Sequence, residues 1–309
     1  MFHHFHDDEK HPNVQGSISA RELEALLKYV NVERILSPNE WLAKLAEKKL
    51  SNEDLCLTFD DALLCQVEVA LPVLERYKLK AFWFVYSSVF EGGTENLEIY
   101  RFFRTKYFND IDDFYKLFFQ KVHDFAMDKN VDEEEEAKNQ SLQLKLYPFQ
   151  SVNDNRFRFF RDTVLGKENY EKIMDAMLKE YELKKTDISK NLWMSDKNLK
   201  YLVDNGHAVG LHSYSHPTML ESLSPKEQHI EYQKNYSHIK RVTDKNPCAV
   251  SHPCNSYNDD TLKILAELGI NCGFRSNMFR RKAKYRLNLG NLEIAREDHA
   301  NLMRMVNEV

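Results

Sequence analysis

The chain has 309 residues, 42% of them in the hydrophobic class and 29% charged, with a net charge of -5. That length can bury a full core and the composition is that of an ordinary soluble protein, while a mild acidic balance with no basic block argues against a nucleic-acid partner or an anionic membrane surface. No apolar run is long enough for a transmembrane segment. The opening Met1-Phe2-His3-His4-Phe5-His6-Asp7-Asp8 lacks the regions of a signal peptide, so the expected location is cytoplasmic.

Three imidazoles, His3, His4 and His6, open the chain, either as a solvated terminus or as a first strand that brings a histidine to a functional rim. Ser19 to Glu22 and Ser37 to Glu40 are capping boxes, each leading into an amphipathic helix. Leu55-Cys56-Leu57-Thr58-Phe59 then forms a short apolar run that stops at two adjacent carboxylates, Asp60 and Asp61. Such a run reads as a buried parallel strand. A helix from Gln66 to Tyr77, adjusted by Pro72, and a strand from Ala81 to Tyr86 complete a β-α-β unit.

From about 95 to 190 the pattern changes to aromatic residues interleaved with charge, and Phe114, Phe118 and Phe119 share a helix face. This stretch reads as a large helical insertion, and the acidic run Asp132 to Glu136 as a solvated helix face or loop. A helix from Asp196 to Asp204 precedes Ala208-Val209-Gly210-Leu211, a second strand that stops at a polar cluster, His212-Ser213-Tyr214-Ser215-His216. A third capping box at Ser224 opens a helix reaching Thr243, whose His229 and His238 read as surface residues. Strands at 249–251, 270–274 and 292–295, with a helix from Asp259 to Leu268, continue the β/α alternation. Five cysteines, Cys56, Cys65, Cys248, Cys254 and Cys272, without CxxC spacing, read as reduced thiols.

Ligands of α/β sheets gather outside the carboxyl ends of the strands, which would put both polar clusters on one rim. One carboxylate with two imidazoles suits a borderline divalent ion and leaves positions for water and substrate. The second carboxylate is then free to accept a proton, since adjacent side chains on extended backbone point to opposite sides. Each cluster alone has a structural reading, as a helix N-cap or as histidines on a helix surface. Their order and strand contexts together favour chemistry.

Thr58-Phe59-Asp60-Asp61 and His212-Ser213-Tyr214-Ser215-His216 resemble the first two motifs of the polysaccharide deacetylases, the NodB-like carbohydrate esterases. The resemblance covers roughly 55–90 and 195–300 and implies a single domain over 1–309, a distorted (β/α) barrel of the NodB-like type interrupted by the 95–190 insertion. It implies Asp61, His212 and His216 as metal ligands, Asp60 as general base, Ser213 as a residue that fixes ring orientation, and zinc as the metal, with cobalt or nickel as alternatives. The family's third motif, Arg-x-Pro-aromatic-Gly, corresponds to Ser251-His252-Pro253-Cys254-Asn255, which has no Arg. The missing cation then comes from Arg296 or Arg275, and the oxyanion donor from the Cys254 N–H. The family's acidic histidine corresponds to His299, beside Asp298, with His252, His3, His4 and His6 as alternatives.

The function so implied is hydrolysis of an acetyl or other small acyl group from a sugar or glycan precursor of surface-polysaccharide assembly. The alternative is a non-catalytic, metal-stapled glycan-binding or scaffold protein that has lost its orienting Arg. A nucleotide-sugar transferase is disfavoured because no Gly-rich phosphate loop accompanies the Asp pair. The chain's oligomeric state, homo-oligomer or monomer, is left open.

Overall fold

The computed structural model describes residues 1–7, 9–14, 16–125, 132–147, 150–278 and 290–307. They form two compact units, one from Met1–Glu95 with the chain after Leu192, the other from Asn96–Asn191.

In the first unit a two-stranded parallel pair, β1 (Phe5–His6) and β2 (Ile18–Ser19), precedes α1 (Ala20–Tyr29) and α2 (Pro38–Ala46). Both helices begin at the predicted capping boxes, where Ser19 and Ser37 accept from the backbone N–H groups of Glu22 and Glu40, whose carboxylates bond back. β3 (Leu57–Asp60), wholly buried, is followed by a π-helical turn over Gln66–Ala70, by α3 (Leu71–Arg76) and by the buried β4 (Ala81–Val85). Pro72, which has no N–H to donate, sits just after the π-helical turn, where helical backbone runs on unbroken into α3.

The second unit is helical: α4 (Asn96–Lys106), α5 (Ile111–Asp124), α6 (Glu133–Leu146), α7 (Val152–Phe159), α8 (Gly166–Glu180) and α9 (Lys185–Ser189). Aromatic rings fill its core, with Phe118 and Phe157 edge to face at 4.9 Å and Phe114 and Phe157 at 5.4 Å. Asp154, buried among them, is held by the Tyr115 hydroxyl (2.9 Å) and the Arg158 guanidinium (2.8 Å). Asp132 caps α6, whose Glu134 and Glu135 lie exposed, a solvated acidic helix start.

Back in the first unit come α10 (Asp196–Asp204), β5 (Ala208–Leu211), α11 (Pro225–Thr243), β6 (Ala249–Ser251), α12 (Asp259–Glu267), β7 (Cys272–Phe274) and α13 (His299–Asn307). The main sheet is parallel throughout and its spatial order follows the chain: β3, β4, β5, β6, β7. It curls, and single parallel bridges add Phe2 beside Phe59 at one edge and Ile294 beside Phe274 at the other. The two edges meet where the His299 N–H donates to the Met1 carbonyl (3.1 Å). This is the distorted (β/α) barrel expected from the sequence, although 292–295 contributes only that bridge and a 3₁₀ turn ending at Leu292. Close packing of neighbouring strands requires glycine at 210, where a Cβ would lie 2.6 Å from the Phe84 ring and 2.7 Å from the Ala249 carbonyl. The five cysteines are thiols outside any disulfide, with Cys254 exposed.

Candidate active site

Because every strand of the main sheet runs the same way, β3, β5 and β6 deliver their C-terminal residues to one rim. Asp60 ends β3 and Asp61 opens the following turn. The two carboxylates diverge for a different reason than alternation along a strand: Asp61 has left the extended region, with φ 79°, and Ala62 follows at 55°. Ser213 and His216 after β5, and Cys254 and Asn255 after β6, also have positive φ. Left-handed backbone in non-glycine residues costs energy and gathers at functional turns. Among the described residues, six of the eleven such positions lie behind these three strands. Asn255 stands where the third motif has Gly, and Asn is among the residues that tolerate this conformation.

The turn brings Asp61 to both histidines. Asp61 Oδ1 lies 3.2 Å from His212 Nε2 and 3.4 Å from His216 Nε2, and one donor atom from each of the three falls within 4.8 Å of the others. Among the described residues this is the one such group of three or more metal-ligating side chains. All three are buried. His212 Nδ1 bonds to the Ser251 carbonyl (2.8 Å), which places the ring proton there and leaves the Nε2 lone pair aimed at Asp61. Asp61 Oδ1 itself accepts no hydrogen bond. Two acceptors facing each other in a buried site are reconciled by a cation between them or by a second ring proton, and the donor set suits zinc and its neighbours. Burial pulls the His212 pKa down, but Asp61 and Asp60 outweigh it and raise it; conversely burial would raise Asp61, but His212 and His216 hold it below the usual carboxylate range.

Asp60 is held differently. Arg296 grips it bidentately, Nη1 to Oδ1 at 2.8 Å and Nη2 to Oδ2 at 2.7 Å, and the Ser251 hydroxyl donates to Oδ2 at 2.9 Å. Burial would raise its pKa; Arg296 first, and His212 after it, more than compensate, so Asp60 stays ionised. Of the two arginines proposed from sequence, Arg296 reaches the carboxylate, while Arg275 Nε turns to the Glu293 carbonyl (2.9 Å).

The other histidines separate clearly. His299 faces backbone carbonyls with both ring nitrogens, Nε2 to Gly16 at 2.9 Å and Nδ1 to Met1 at 3.3 Å. His252 bonds the Leu292 carbonyl (2.8 Å) and stacks on Tyr257 at 4.1 Å. His6 bonds the Ser17 hydroxyl (2.9 Å). His3, half-buried, puts Nε2 3.9 Å from a carboxylate oxygen of both Asp60 and Asp61.

A family model described as polysaccharide deacetylase matches residues 159–273, the stretch that holds His212, His216 and the turn after β6. Over that stretch the chain is similar to the polysaccharide deacetylases. No curated protein matches this chain. Among solved structures it is similar to the Streptococcus pyogenes deacetylase PplD in complex with acetate, at 18% identity over 99% of this chain and 95% of that one, TM-score 0.56. It is also similar to a de-N-acetylase from Aggregatibacter actinomycetemcomitans (12%, 96% and 92%, TM-score 0.55) and to IcaB from Ammonifex degensii (16%, 89% and 82%, TM-score 0.51). At these identities the likeness is one of fold, the NodB-like barrel described above.

Helix α11 carries supports of this cluster that the sequence pattern did not single out. Glu231 accepts the N–H groups of Tyr214 (2.9 Å) and Ser215 (2.8 Å) and the Ser215 hydroxyl (2.7 Å). Asn235 accepts the His212 N–H (2.9 Å) and donates to the Val85 carbonyl (2.9 Å). His238, expected at the surface, is buried between Asp196 (2.9 Å) and Glu91 (3.2 Å), while His229 is exposed as expected. The signal was present as polar residues at 231, 235 and 238, a helical spacing that puts them on one face.

Proposed function

We propose that this chain hydrolyses a small acyl group, acetyl or formyl, from an amino or hydroxyl group of a sugar or glycan precursor. The observation that carries the reading is the Asp61–His212–His216 cluster beside an ionised, arginine-held Asp60 at the carboxyl ends of parallel strands. Asp61, His212 and His216 would hold a divalent cation, zinc, cobalt or nickel by their donor types, which would supply Lewis-acid polarisation of the acyl oxygen and of a water.

Asp60 takes the proton of the attacking water as its oxygen adds to the acyl carbon. Arg296 keeps that carboxylate ionised and oriented until it does. When the C–N or C–O bond breaks, the leaving amine or alkoxide needs a proton. We assign this donation to His3, whose ring faces the Asp pair, rather than to His299, whose nitrogens are occupied by carbonyls. The Ser251 carbonyl and Glu231 keep the ligand rings in place. The 96–191 unit reads as an insertion into a single deacetylase domain.

The non-catalytic alternative presumed a lost orienting cation, and Arg296 supplies one. The test is acetate release from N-acetylglucosamine oligomers by the purified protein, its loss on chelation and its return with zinc or cobalt. Saccharide binding without turnover in the metal-loaded protein would favour the alternative.

A further inference from the structure

We propose that Ser251 is a positioning residue for the base: its hydroxyl fixes the Asp60–Arg296 pair, while its side chain has no part in holding the metal. The inference rests on the deacetylase reading, in which Asp60 is the base.

Ser251 ends β6 and is completely buried. Its Oγ accepts from Arg296 Nη2 (2.7 Å) and donates to Asp60 Oδ2 (2.9 Å), closing a ring with the Nη2 to Oδ2 bond (2.7 Å). The rest of the guanidinium is equally committed, with Nη1 to Asp60 Oδ1 (2.8 Å) and to Thr58 Oγ1 (3.2 Å), and Nε to the Arg275 carbonyl (2.7 Å). A guanidinium has five N–H donors, and each has an acceptor here. Without the hydroxyl, one buried N–H of Nη2 loses its acceptor and Asp60 loses a donor. A buried charged group with an unmet bond turns towards whatever can satisfy it, and the carboxylate turns with it.

A serine at this position also leaves room. Its Oγ is already at hydrogen-bond distance from the guanidinium, so a longer side chain on β6 would occupy the space that Arg296 enters from the segment beyond Ile294. A small hydroxyl residue at 251 and an arginine at 296 are therefore complementary.

One geometric detail makes the idea separable from a general structural role. Ser251 meets the metal cluster only through its main chain, whose carbonyl accepts from His212 Nδ1 (2.8 Å). Changing the side chain leaves that carbonyl in place, so the base should suffer and the metal ligands should not.

The experiment uses the full chain with Ser251→Ala and Ser251→Cys, the latter filling the volume without a comparable donor, each alone and with Arg296→Ala. Acetate release from an N-acetylglucosamine oligomer gives kcat and KM; zinc titration gives affinity. Both variants should lower kcat by about 10- to 100-fold, the loss of a charge-assisted hydrogen bond, with KM and zinc affinity changed by less than about 2-fold. In the Arg296→Ala background the serine change should cost less than about 3-fold more, since the two act as one unit. A kcat near wild type, a zinc affinity that falls in step with kcat, or a full further loss in the Arg296→Ala background would each overturn the proposal. If the wild type releases no acetate, the deacetylase reading fails separately. Nitrogen-15 NMR of Arg296 then decides the positioning: its Nη–H signals should be resolved in the wild type and averaged in Ser251→Ala, and equal signals in both would overturn it.

Discussion

Asp60 is buried, charged and bound on two sides, which makes its surroundings the most sensitive chemistry in the molecule. Removing its cation leaves an uncompensated buried charge, so Arg296→Ala should cost about 3–5 kcal/mol of stability in denaturant unfolding. Arg296→Lys keeps the charge but loses the planar fork, and should lower kcat by about 10- to 100-fold with zinc affinity retained. The histidines give a second contrast. His3→Ala should slow acetate release by about 100-fold, within the range of general-acid contributions, whereas His299→Ala should mainly lower the melting temperature; the reverse pattern in the two kinetic and thermal profiles would return the acid role to His299. Asp60, Asp61, His212 and His216 were legible in sequence because each cluster interrupts an apolar strand. The orientation of His299 was not, because it depends on carbonyls of Met1 and Gly16, nearly the whole chain away.

At the scale of elements, α11 works as a template for the loop between His212 and His216. Glu231 binds two successive backbone N–H groups between His212 and His216, so Glu231→Ala should weaken zinc binding by about 10- to 100-fold, comparable with other outer supports of metal ligands, in a protein whose circular dichroism is unchanged. A fall in melting temperature with unchanged zinc affinity would make Glu231 merely structural.

The start of β5 offers a pH test. His207 Nδ1 accepts from the Ala81 N–H and from Trp83 Nε1, both at 3.1 Å, and burial, then the charge of Lys80, push its pKa down to about 4. Between pH 6.5 and 4 the unfolded chain takes up a proton that the folded one refuses. Stability is therefore full above 6.5 and falls as pH drops towards 4, by on the order of 3 kcal/mol. His207→Asn keeps an acceptor but no titrating ring, and urea midpoints should lose that part of their pH dependence. Helix starts were readable because capping boxes are local, as at Ser19, Ser37 and Ser224. The burial of His238 was not, since its partners Glu91 and Asp196 come from other elements.

Across the whole molecule, the alternation of apolar runs and amphipathic helices announced a parallel sheet, whose strands neighbour one another in chain order even across the 96–191 unit between β4 and β5. The aromatic 96–191 stretch stood out as a separate composition and folds as its own unit. What the pattern could not convey is closure: Phe2 and Ile294 extend the sheet by isolated bridges, too short to leave a periodicity. That closing segment carries Arg296, so the cation that the β6 turn lacks is restored by barrel geometry. No helix among the described residues is long and apolar enough to cross a membrane.

The most direct measurement is zinc stoichiometry and acetate release in Asp60→Asn beside Asp61→Ala. Asp60→Asn should bind one equivalent of zinc and release almost no acetate, and Asp61→Ala should lose both. Full turnover in either variant, or zinc binding undiminished in Asp61→Ala, would contradict the account.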